Sequence, residues 1–157
     1  MLTKIISGGQ TGADRAALDV ALKFDIPHGG WIPKGRLAED GRISDKYNLK
    51  EMPRHGFSAR TEQNVIDSDG TVIFSHGEPS GGTGYTREMA LRHGKQMLGI
   101  DLNLTSYSDA ASMLTSWIQA RRIKILNVAG PRASEDARIY GDVFRILEMV
   151  VQMQKPA

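Results

Sequence analysis

Residues 71–90 read TVIFSHGEPSGGTGYTREMA, and the fold turns on how this stretch is read. Thr71 to Ser75 is a short β-branched and aromatic run of the kind that fills a buried strand, and a helical pattern begins at Thr86 and runs to His93. Between them, Pro79, Gly81, Gly82 and Gly84 fall within seven residues. A strand, an open glycine turn and a helix in succession imply a parallel sheet, because a parallel return needs a crossover long enough to hold a helix.

The same alternation continues outward in both directions. Upstream, TKIIS (3–7) is a short strand run, GGQTG (8–12) interrupts it, and Ala13, Ala16, Ala17, Val20, Ala21 and Phe24 form one helical stripe. IPHGGWI (26–32) is a weaker strand, demoted by Pro27 and Pro33, and Arg60 to Ser68 reads as a helix. Downstream, QMLGIDL (96–102) and KILNV (124–128) read as strands, with a helix over Ser108 to Ala120 and a last one from about Ser134. In that last helix Tyr140, Val143, Phe144, Leu147, Val150 and Val151 recur at three and four residues. Five strands separated by helices predict a single α/β domain over 1–157, three-layered and doubly wound, with a mainly parallel sheet. The order 2-1-3-4-5 is expected, with 3-2-1-4-5 as its competitor. In the first order, strands one and three are neighbours, and their ends carry GGQTG and GGTG to one crevice. Residues 33–59, rich in charge, Gly and Pro and without a clean period, are expected to form a long loop or lid.

Composition removes several classes of function. With 40% hydrophobic and 24% charged residues the chain has no apolar run near the length of a bilayer, so no membrane partner is expected. MLTKIISGG lacks the sections of a secretory signal, and a cytoplasmic location is expected. The absence of cysteine excludes disulfides, thiolate metal sites and a cysteine nucleophile. The net charge is only +2, and the basic residues of 34–54 are interleaved with Glu39, Asp40, Asp45 and Glu51, which is no nucleic-acid stripe.

Glycines between a strand end and a helix start let backbone N–H groups converge on an anion that the helix N-terminus already favours. The phosphate-binding candidates are therefore Gly8, Gly9, Gln10, Thr11 and Gly12 in the first loop and Gly81, Gly82, Thr83, Gly84 and Thr86 in the second. Arg15 is a candidate for charge-assisted contacts to phosphate, and Lys34 and Arg36 are candidates to close over the anion, against the plain alternative of solvated surface. Neither loop is GxxxxGK[ST] or GxGxxG, so ATPase and simple dinucleotide readings lose their support. Asp14 is read as favouring a helix start, and NVAGPRASED (127–136) as a turn with Ser134 as N-cap. Glu88 is a candidate acid, base or electrostatic partner, with a helix-face pair to Arg92 as its bland alternative. The four histidines show no metal-ligand spacing, and no protein-ligated metal is expected; only His76 lies near the crevice.

GGQTGADRAALDVAL (8–22), GGWIPKGRLAEDGRI (29–43), RTEQNVIDSDGTVIF (60–74) and GGTGYT (81–86), in that order and spacing, resemble the molybdenum-cofactor carrier family. That family belongs to a Rossmann-like superfamily shared with the lysine-decarboxylase-like (LOG) phosphoribohydrolases. The resemblance implies a Rossmann-like fold and a phosphorylated heterocycle as partner, with molybdenum cofactor as cargo whose own dithiolene holds the metal. It also implies an alternative, hydrolysis of the N-glycosidic bond of a nucleoside 5'-monophosphate, in which Arg60 and Glu88 match the phosphoribohydrolases' arginine and glutamate. A nucleotide sensor is a third reading. Relatives in the superfamily form dimers, and the apolar last helix with Met149 and Met153 is the expected homo-oligomer surface.

Overall fold

Each strand–helix alternation in the sequence becomes a β–α step in the computed structural model, which describes residues 1–155. The elements in chain order are β1 (Lys4–Ile6), α1 (Ala13–Lys23), β2 (His28–Gly29), β3 (Trp31–Ile32), β4 (Leu37–Ala38), β5 (Gly41–Arg42) and β6 (Lys50–Glu51). They continue with α2 (Phe57–Asp67), β7 (Gly70–Ser75), α3 (Gly81–Arg92), β8 (Gln96–Asp101), α4 (Tyr107–Arg121), β9 (Ile125–Ala129) and α5 (Ile139–Gln154). The last helix thus starts five residues later than Ser134, and Ser106 is a side-chain N-cap that does form, accepting from the Asp109 amide at 3.2 Å.

Five strands build one parallel sheet in the spatial order β2-β1-β9-β7-β8. Counted from the first strand of the chain this is 2-1-5-3-4, because β9 inserts between β1 and β7: Ile5 lies beside Leu126, and Val72 beside Val128. Counted from β7, through β8, β9, β1 and β2, the same sheet reads 2-1-3-4-5, the expected order. The doubly wound arrangement is therefore intact, with the chain entering it part-way through. The two ends of the described chain lie together accordingly, the Leu2 amide donating to Gln154 Oε1 at 3.1 Å.

β7 and the last four residues of β9 are buried, as fits inner strands covered on both faces. One face carries α1, α5 and α4 side by side, and the other carries α2 and α3. The main core lies under the first group, where Val20, Val72, Phe74, Leu126, Val128, Val143 and Leu147 are sealed from solvent. Most of the α5 stripe is spent there: Val143, Ile146, Leu147 and Val150 are buried and Met149 packs against them, while Tyr140 and Met153 stay partly exposed.

The segment 33–59 is folded against α1. The weak strand over 26–32 splits, so that β2 pairs with β1 while β3 turns away to pair with β6, and β4 and β5 form a small antiparallel hairpin. Ile32, Ile43 and Tyr47 pack on Leu18 as a second core. Arg36 is buried, and its guanidinium donates to the carbonyls of Ile43, Ser44 and Tyr47, so it braces this segment from within.

Candidate functional site

The strands are parallel, so the loops after β1, β7 and β9 all open at one end of the sheet. Together they line a cavity of about 90 Å³ that is open to solvent. Its walls are Gly8, Gln10 and Asp14 from the first loop and α1; Phe57, Arg60, Thr61 and Asn64 from α2; Gly82, Thr83 and Thr86 from α3; and residues 127–132 with Glu135 from β9 and its loop. The two glycine loops do reach one crevice, although β9 stands between their strands.

The loops contribute differently from the sequence expectation. In the first, the Gly9 amide donates to Ser7 Oγ at 3.3 Å, the Gln10 amide to Asp14 Oδ2 at 3.4 Å and the Thr11 amide to Gln10 Oε1 at 3.0 Å. Those N–H groups are engaged within the loop. Gly12 has φ +81, and a Cβ there would stand 2.3 Å from the Pro131 carbonyl, so its role is the close seating of this loop on the one after β9. The second loop leaves its first amides free. α3 has no side-chain cap, the Thr83 and Gly84 amides return to Ser80 O, and those of Gly81 and Gly82 have no partner among the described residues.

Arg60 dominates the cavity. Its guanidinium lies directly over Gly8, where a Cβ would come within 1.9 Å of Nη1, so only glycine leaves it room. The side chain is 12% exposed and 3.6 Å from Asp14 Oδ2, beyond a direct hydrogen bond, and it passes 5.5 Å from the Phe57 ring centroid. Its Nε is buried with no partner, and the guanidinium makes no hydrogen bond to any described residue. Burial pulls the Arg60 pKa down from its ordinary value against the opposing pull of Asp14. Asp14 is itself buried, and desolvation raises its pKa from 3.8 to about 6, with Arg60 acting in the opposite direction.

Other expected residues lie apart from the cavity. Arg15 turns back to brace the first loop, donating to Gly9 O at 3.0 and 3.1 Å and to Asp40. Gly9, Thr11, Gly12, Gly81, Gly84 and Lys34 are not among the lining residues. Glu88 is exposed, lies outside the cavity and pairs with Arg92 at 3.5 Å, the bland alternative. His76 is held between Asp136 and Asp142, with 2.9 Å to the latter, tying the loop after β7 to α5. Among the described residues no group of His, Asp and Glu converges to hold a metal. The sequence did not single out Phe57 or Asn127 as site residues, and for Asp14 and the 129–132 loop it favoured a helix start and a plain turn. The one available signal was that 129–132 also ends a strand with a glycine, which equally fits a plain turn.

A scan against family models matches residues 5–151 to one described as "Circularly permutated YpsA SLOG family". The chain belongs to the circularly permutated YpsA SLOG family. The sheet order, doubly wound only when counted from β7, is the structural form of that permutation. Among solved structures, the chain of this SLOG-family protein is similar to a crystal structure named "Putative molybdenum carrier protein" from Syntrophus aciditrophicus SB, at 54% identity and a TM-score of 0.94. The likeness covers 96% of this chain and 95% of that one. A search of curated proteins found no match.

Proposed function

We propose that the cavity binds the anionic group of a phosphorylated heterocycle, and that the protein carries this ligand as cargo. One observation carries the reading: Arg60, a buried guanidinium with several N–H donors, makes no hydrogen bond to the described protein and faces a cavity. Buried donors are almost always satisfied, and a guanidinium left so is matched by an oxyanion acceptor. The free Gly82 amide at the α3 N-terminus supplies the same preference from the opposite wall. Arg132 adds positive charge at the rim, although its Nε is held by Glu135.

The open cavity of about 90 Å³ takes the anionic group, leaving the rest of a heterocycle at the mouth beside the half-exposed Phe57 ring. The solved relative is named for carrying molybdenum, which together with the resemblance of the motifs supports molybdenum cofactor, a phosphate-bearing pterin, as the specific cargo. Binding is better supported than N-glycosidic cleavage by an Arg60–Glu88 pair, since Glu88 lies outside the cavity.

Mass spectrometry of small molecules released from gently purified protein identifies the cargo, and calorimetric titration with nucleoside monophosphates and inorganic phosphate measures the site. Arg60→Met keeps the apolar stem and removes the donors. A loss of about tenfold or more in phosphate affinity is expected, from charge-assisted hydrogen bonds worth roughly 1.5–3 kcal/mol. Unchanged affinity in Arg60→Met would remove the basis of the reading.

A further inference from the structure

Asp14 has no role in the binding scheme above, yet it lies in the same cavity beside Arg60. It projects from the first turn of α1 behind Gly8, while Arg60 reaches over Gly8 from α2. Neither group is well served by its surroundings. The carboxylate is supported by the Gln10 amide at a long 3.4 Å and by the Gly8 amide, and the guanidinium stands 3.6 Å away with its Nε unpartnered. Each compensates the other's charge chiefly by proximity.

The other charges around Asp14 are committed elsewhere. On its own helix, Arg15 is held by Gly9 O and Asp40. From the loop after β9, Arg132 is held by Glu135. From the β4–β5 turn, Asp40 is held by Arg15 and Glu39 by Thr11 and Ser134. Arg60 is thus the one cation whose engagement depends on Asp14.

We propose that Asp14 is the resident counter-anion of Arg60 and couples anion binding to proton uptake: an incoming tetrahedral oxyanion takes over the guanidinium as Asp14 takes up one proton from solvent. The inference rests on the anion-binding reading of the cavity. A dianion at Arg60 sits within a few ångströms of the Asp14 carboxylate in a poorly hydrated space, and like-charge repulsion there favours the protonated acid. Burial, even against the opposing pull of Arg60, already holds Asp14 at about 6, so a small further push carries it through neutrality. The neutral acid then gains an O–H donor, turning a repulsive neighbour into one able to hydrogen-bond the anion.

Sulfate is the suitable probe, because it does not itself titrate near neutrality. Its affinity is measured by calorimetry from pH 5.5 to 8.5 at constant ionic strength, and at pH 7 in two buffers of different ionisation enthalpy. For the wild type, affinity should fall by up to about tenfold per pH unit above pH 6, with uptake of about one proton per sulfate. Asp14→Asn should bind sulfate with a much flatter pH profile and no net uptake. The four histidines are retained in that variant, so the difference belongs to Asp14. The wild-type uptake needs no variant, and it overturns the proposal if it is zero. Uptake that persists unchanged in Asp14→Asn overturns it as well. Saturable binding that is flat with pH yet lost in Arg60→Met sinks only this inference. No saturable binding of sulfate or phosphate at any pH sinks the anion reading with it.

Discussion

At the scale of single residues, the site consists of two charges kept under-satisfied by one missing side chain. Gly8 gives Arg60 its place, and Asp14 sits behind it with a pKa raised by burial to about 6. A carboxyl whose folded pKa lies above its unfolded value binds more protons when folded. Its contribution is therefore most favourable at low pH and declines as pH rises from about 4 to 6. Raising a carboxyl from 3.8 to about 6 corresponds to about 3 kcal/mol, an order-of-magnitude figure. Chemical denaturation from pH 4 to 8 should show Asp14→Asn gaining stability relative to wild type over that window, by up to about 3 kcal/mol. A difference independent of pH would show that Asp14 has an ordinary pKa in the folded protein. Asp14 was legible in the sequence only as an acid at a helix start. Its burial depends on Arg60, 46 positions away, and on Gly8 having no side chain.

At the scale of elements, the two glycine loops look alike in sequence and act differently because of what lies beside them. Ser7, Gln10 and Asp14 offer oxygens that absorb the amides of the first loop, whereas the second starts α3 with no side-chain cap. Gly82 is the second residue of α3, and its neighbourhood is open. Proline is tolerated in a first helical turn and lacks the N–H. Gly82→Pro should keep the thermal transition near that of Gly82→Ala while weakening phosphate binding several-fold, consistent with roughly 1 kcal/mol for one hydrogen bond. Equal affinity in the two variants would show that this amide does not hold the anion. Gly12→Ala should instead destabilise the fold by roughly 1–3 kcal/mol, through a positive φ and a clash with the Pro131 carbonyl. A thermal melt matching wild type would contradict that contact.

At the scale of the whole molecule, the sheet is a doubly wound one whose chain begins in its middle. Leu2 touches Gln154, and residues 53–56 between β6 and α2 are exposed. A permutant joining the ends through a short Gly/Ser linker and opening at Gly56 should fold cooperatively and bind sulfate like the parent. Failure to fold would mean that the 33–56 connection is needed for more than linkage. α5 fills the groove between α1 and α4, which buries most of its apolar stripe inside this chain and leaves Tyr140 and Met153 exposed.

The sequence by itself determined the alternation of strand and helix, the parallel pairing and the candidate loops, because hydrophobic period and glycine placement act over a few residues. Arg60 was also named from sequence, through the family's motif. Only the tertiary structure decided that β9 lies between β1 and β7, that the loop after β9 forms part of the cavity wall, and that Glu88 faces away from it. A buried apolar strand carries no mark of which strands flank it. Whether a backbone amide is free or spent likewise depends on side-chain oxygens and on neighbours that are distant along the chain.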